Sequence, residues 1–162
     1  MGMDKQKLFQ AKNFIFADIE REIALADASE HFLGRFCLRR AKVHPGGANF
    51  MAALALLSYT EFAGRLKNND FSDQNSKKNF DDFFKDLGPS YQQFLSQHNA
   101  YKIFRCGLAH EYYVKQDCII AVRSHSQAAT GIGFDGKQYF FVIEPYFQDF
   151  KNAFNVLCQT LT

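Results

Sequence analysis

Over most of this chain the apolar residues recur at intervals of three and four, and only between Cys118 and Ile143 does that rhythm fail. A step of three or four marks one face of a helix, whereas short apolar runs bounded by turn residues mark strands. The chain is therefore expected to be mainly α: an antiparallel helical bundle, with a small antiparallel β-hairpin or sheet inserted at about 118–143, before the last helix. Its 162 residues suit a single domain over 1–162 with a sizeable core.

Leu8, Ile15, Ile19, Ile23 and Ala26 form the stripe of a first helix. Phe32, Leu33, Phe36 and Cys37 either continue it or begin a second helix capped near Ser29. His44-Pro45-Gly46-Gly47 breaks the chain. Asn49 is expected to cap a helix over 50–67. The uninterrupted apolar run from Phe50 to Leu57 places that helix at the centre. The polar stretch Asn68 to Lys78 reads as a loop. Phe80, Phe83 and Phe84 mark a short helix ending at Gly88-Pro89, and Tyr91, Phe94 and Leu95 another turn or two. A further helix is expected over roughly 100–114. Cys118 to Val122 and Gln138 to Ile143 are strand-like, with Asp135-Gly136 between them as a hairpin signal. Glu144-Pro145 opens the final helix, with proline at its first position.

Composition narrows the function classes. The formal net charge is +2, so no strong global field draws the chain to nucleic acid or to a membrane, and any such binding needs a local patch. No apolar run is long enough to span a bilayer, and Asp4, Lys5, Lys7 and Lys12 interrupt any apolar leader. Cys37, Cys106, Cys118 and Cys158 lack ligand or redox spacing. They read as reduced thiols of a cytoplasmic protein, with no metal site and no cofactor expected. Gly131 to Gly136 spells G-x-G-x-x-G, but strand-like residues follow it where a dinucleotide fingerprint needs a helix, so these are hairpin glycines.

The residues best suited to chemistry lie in Arg105-Cys106-Gly107-Leu108-Ala109-His110-Glu111-Tyr112. Arginine is suited to gripping a phosphate, and histidine to moving a proton near neutral pH. The structural alternative is a core arginine, a helix-end histidine and an ordinary buried tyrosine. Glu61 interrupts an apolar helix and is expected to pair with a cation of the bundle, Arg105 above all. Arg35, Arg39, Arg40, Lys42 and His44 form the densest basic cluster, fit either to hold RNA phosphates or to complement a helix end. His31, His98 and His125 stand outside any constellation.

The pattern Arg105-x4-His110-x-Tyr112 resembles the R-x(4–6)-H signature of the HEPN superfamily, in the R-x4-H-x-Y form of toxins paired with nucleotidyltransferase antitoxins. The residue after the arginine, polar in the family, is Cys106 here. The resemblance covers 8–115 and 145–161 and implies a metal-independent endoribonuclease of toxin–antitoxin or defence type. His110 would be the general base or acid, and Arg105 would stabilise the scissile phosphate. Tyr112 would position RNA or receive a nucleotidyl group from the antitoxin. It also implies a homodimer, in which two motif helices meet. On a straight α-helix, at about 100° per residue, Arg105 and Tyr112 lie about 20° apart but His110 about 140° away, so either Arg105 lies at an irregular helix start or the site is completed by a second chain.

Two other readings compete: a non-catalytic HEPN-like scaffold or RNA- or protein-binding module, and an unrelated helical module whose sheet binds a partner strand. Exposure of Arg105 and His110 favours the ribonuclease, burial of both favours the scaffold, and an open apolar edge near Cys118 to Val122 favours the third.

Overall fold

The computed structural model describes residues 5–44, 48–111, 118–123 and 130–161. It is mainly helical, with a small sheet before the last helix. The helices are α1 (Lys5–Glu30), α2 (Phe32–Arg40), α3 (Ala48–Asn68), α4 (Ser76–Phe84), α5 (Pro89–Gln97), a π-helix (Tyr101–Glu111) and α6 (Ile143–Leu161). Short 3₁₀ turns at Asp73–Asn75 and Lys85–Leu87 flank α4. The strands are β1 (Ile119–Ala121), β2 (Ile132–Phe134) and β3 (Tyr139–Val142).

The apolar run of α3 does put that helix at the centre. It touches α1, α4, α6, the π-helix and β1, and Ala52, Ala53, Leu56 and Leu57 are buried. Its start differs from expectation. Asn49 lies inside the helix and donates from Nδ2 to the Ile120 carbonyl at 3.2 Å, tying β1 to α3 rather than capping. Gly64 allows α4 to approach closely, since a Cβ there would sit 1.8 Å from the Asn79 carbonyl oxygen. The fully buried Asn79 accepts from Asn68 and donates to the Asp70 carbonyl, so its amide is satisfied. α4 thus begins within the stretch expected to be loop.

At His31 the first two helices separate, and α2 is a helix of its own. Ser29 does not cap it; its hydroxyl donates to the Ala26 carbonyl within α1. α5 has Pro89 in its first turn after Gly88, whose φ of 139° is open only to glycine at low cost.

The sheet is mixed rather than antiparallel. Its order is β1-β3-β2, with β2 antiparallel and β1 parallel to β3. A three-strand meander would have placed β2 in the middle. Instead the most apolar strand takes the centre: Tyr139, Phe141 and Val142 are buried, while β2 carries Gly133 and stays at an edge. The Phe140 ring covers Gly133, so closely that a Cβ would come within 2.2 Å of it. The β2–β3 turn is as expected, with Asp135 Oδ1 accepting from the Lys137 and Gln138 amides and Gly136 at φ 94°.

The sheet belongs to the core. Phe104 of the π-helix packs on Tyr139 and Phe141, and Phe141 packs on Tyr146 of α6. α6 starts at Ile143, ahead of the Glu144-Pro145 expected to open it. It buries Tyr146, Phe147, Phe150, Phe154 and Leu157. Phe150 stacks on Phe154 and meets Phe83 edge-on. Burial of each such ring contributes roughly 1.5–3 kcal/mol.

Candidate functional site

Glu61 is the structural centre of the candidate site. It lies in α3 at 7 % exposure, too deep to be left unpaired. Arg105 donates from Nε to Glu61 Oε2 at 3.2 Å, the pairing expected from the sequence. The other carboxylate oxygen accepts from Arg65 Nη2 at 2.9 Å. Arg65 also reaches Asp73 and Ser76 through Nη2, and the Phe71 carbonyl through Nη1. Burial disfavours charge on Arg65, but the hydrogen bonds to Glu61 and Asp73 outweigh it and raise its pKa. Tyr101, at the start of the π-helix, lies beside Ser76 and packs edge-on against Phe80. Burial first, and the charge of Glu61 second, push its phenol up.

Arg65, Ser76 and Tyr101 were not singled out from the sequence. Arg65 had a signal, because it lies four residues after Glu61 on one helix and so on the same face. Ser76 and Tyr101 had none, since only the packing of α4 and the π-helix on α3 brings them in.

Two guanidinium groups share one buried carboxylate, and the nearby Asp73 side chain is 97 % exposed. Arg65 thus has Asp73 as a second carboxylate, while Arg105 shares only Glu61 among the described ion pairs. Arg105 meets Glu61 through Nε, and a guanidinium held that way has the fork geometry to offer its terminal N–H groups to an oxyanion.

His110 is on the same helix and exposed. Its relation to Arg105 differs from the α-helical expectation, because the segment is a π-helix. With i→i+5 bonding and about 4.4 residues per turn, residues five apart lie about 50° apart, rather than about 140°. Arg105 and His110 thus share one side of the helix, and their spacing no longer calls for a second chain to complete the pair. Asn99 sets the start of this helix, its Oδ1 accepting from the Lys102 amide at 3.1 Å. Ala100, Phe104 and Leu108 form its buried seam.

Tyr112, expected to position RNA or to be modified, lies outside the described residues. Arg39 and Arg40 are exposed in the last turn of α2. Among the described contacts they join neither Glu61 nor Arg105. The edge strand β1 has only the residues Ile119–Ala121, and the Asn49 amide occupies its Ile120 carbonyl. It therefore offers little to a partner strand. Cys118 is a half-buried thiol whose pKa burial pushes up to about 12, unsuited to nucleophilic work. Among the described residues, no helix is long and apolar enough to cross a membrane, and no group of His, Cys, Asp and Glu converges as a metal site would require. No family model, curated protein or solved structure matches the chain.

Proposed function

We propose that this chain is a HEPN-like protein that cleaves single-stranded RNA without a metal, as a toxin or defence component. The observation that carries this reading is the π-helical winding, which sets exposed His110 on the same side as Arg105. His110 takes the proton of a ribose 2′-hydroxyl, or returns one to the departing 5′-oxygen. The 2′-oxygen attacks phosphorus, the 5′-oxygen leaves, and a 2′,3′-cyclic phosphate remains. Arg105, oriented by Glu61, stabilises the charge that builds on the phosphate. Tyr112 is assigned to RNA positioning or to modification by a nucleotidyltransferase-type antitoxin, and the active species to a homodimer. Both assignments rest on the resemblance of the motif alone.

The second reading, a non-catalytic scaffold, is favoured by a different observation. Arg105 is only 22 % exposed at its side chain and is already held by a buried carboxylate. A cleavage assay on single-stranded RNA separates the two. Under the first reading His110→Ala lowers the rate by ~10²–10⁴-fold, and Arg105→Ala abolishes it. A chelator changes nothing. A purified wild type that cuts no RNA, with Arg105→Ala destabilising the fold, replaces the enzyme by the scaffold. Light scattering reads the oligomer, with twice the chain mass expected.

A further inference from the structure

From the geometry of α2 we infer a docking platform for single-stranded nucleic acid, built from Phe32 and Phe36 with Arg35, Arg39 and Arg40. α2 buries none of its residues. Phe32 is 84 % and Phe36 58 % exposed, a heavy cost in water for a helix with nothing over it. From His31 through Thr60 the chain has no Asp or Glu, so beyond Glu30 at its start the positive charge of this arm has no acidic residue along the sequence.

The arrangement of charge selects the occupant. At about 100° per residue, Arg39, Phe32, Phe36, Arg40 and Leu33 follow one another around the outward arc, with Arg35 beside it. Arginines flank the pair of rings on both sides. A helix that lies in a lipid surface segregates its cations to the face opposite the apolar one, which this helix does not do. Such flanking suits a single strand, whose bases stack on the exposed rings while its phosphates meet the guanidinium groups on either side. A second copy of α2 would bring the same acid-free, basic face against itself. Gly34 and Leu38, the partly covered residues, take the opposite side, toward the body of the protein. A Cβ at Gly34 would in fact collide with the Ala28 carbonyl, so the helix is seated closely on the end of α1.

The platform rests on the RNA reading proposed for the Arg105–His110 site. Arg105 meets α3 at Glu61, and Ile120 of β1 meets it at Asn49, near the end of α3 that follows α2.

The test is fluorescence anisotropy with a labelled RNA of about fifteen unstructured nucleotides. The protein is the full chain carrying His110→Ala, so that binding is read whether or not the wild type cleaves. Replacing both rings, Phe32→Ala with Phe36→Ala, should weaken binding about tenfold or more. Arg39→Gln with Arg40→Gln should lower the slope of log affinity against log salt by about 1.4. Neither pair should move the melting temperature, because α2 buries nothing. A single-stranded DNA of the same sequence is expected to bind comparably, since stacking does not read the sugar. Unchanged RNA affinity in the double-ring variant overturns the proposal. So does a wild-type chain that binds no RNA but sediments with phosphatidylserine vesicles, or whose self-association is lost with the two rings. Loss of cleavage in His110→Ala with RNA binding intact leaves the platform standing, while binding without any wild-type cleavage removes only the enzyme reading.

Discussion

α6 and α2 carry the same kind of message in their sequences: phenylalanines at helical spacing with polar residues between. In α6 every ring of the stripe finds a partner, and Tyr146, Phe147, Phe150 and Phe154 are all at 3 % exposure or less. In α2 none does. The pattern states which face of a helix is apolar, but not whether the same chain covers it. α6 lies between α1, α3 and the sheet, whereas α2 leaves the core at His31 and packs chiefly against α1. What separates them is long-range packing, and the charges agree with the outcome. The stripe of α6 is free of cations, and the outward arc of α2 is interrupted by them.

The sharpest way to break this comparison is a pair of truncations. Phe150→Ala should cost about 3–5 kcal/mol in urea unfolding, because it removes a ring packed between Phe83 and Phe154. Phe36→Ala should stay within about 0.5 kcal/mol. Similar losses at the two positions would mean that α2 is covered within the chain.

A smaller effect probes the polar centre. Glu61→Ala leaves Arg65 and Arg105, both mostly covered, facing each other without their carboxylate. A loss of about 2–4 kcal/mol is expected, and Arg105→Ala in the same background should recover part of it. No recovery would show that the Arg105 contact contributes nothing to the fold.

Gly131→Ala tests how tightly the sheet is joined to α6. A Cβ there would lie 2.4 Å from the Tyr146 backbone, and the expected loss is about 1–3 kcal/mol. A neutral result would mark the sheet as loosely attached.

The smallest effect is one of pH. Asp149 of α6 accepts a hydrogen bond from Tyr91 at 2.7 Å, and Tyr91 in turn accepts from the Gly131 amide. Burial raises the Asp149 pKa, against the opposing pull of the Tyr91 bond. The folded state then holds its proton more tightly than the unfolded one. Stability should fall as pH rises through the window just above the ordinary carboxylate range, and level off beyond it. Asp149→Asn should flatten that slope in melts taken between acid and neutral pH. A slope unchanged in the variant would assign it to another group.

Much of the helical frame was readable from residue spacing. The apolar run of α3, the stripe of α6 and the proline and glycine breaks are local features whose physics is local. The Glu61–Arg105 pair was readable as well, because a carboxylate in an apolar helix has to find a cation. The sheet was read only in part. Asp135-Gly136 specifies a turn between neighbours, but nothing local says that β1 will pass the hairpin and pair in parallel with β3. The π-helix was not readable at all. Ala100, Phe104 and Leu108 step by four, and a step of four drifts about 40° forward in an α-helix and about 30° backward in a π-helix. Either winding keeps the seam buried, so the apolar pattern cannot choose between them.

The sequence by itself therefore determined the helical class, the turn and break points, and the chemistry on offer at Glu61, Arg105 and His110. These follow from short-range sterics and from the cost of burying charge. The tertiary structure alone decided that β3 takes the centre of the sheet and that Arg65, Ser76 and Tyr101 join Glu61. It also decided that α2 stays uncovered and that five residues of π-helix bring His110 round to the side of Arg105. Each of these depends on which distant surfaces meet, and burial of the most apolar ones is settled by the whole chain at once.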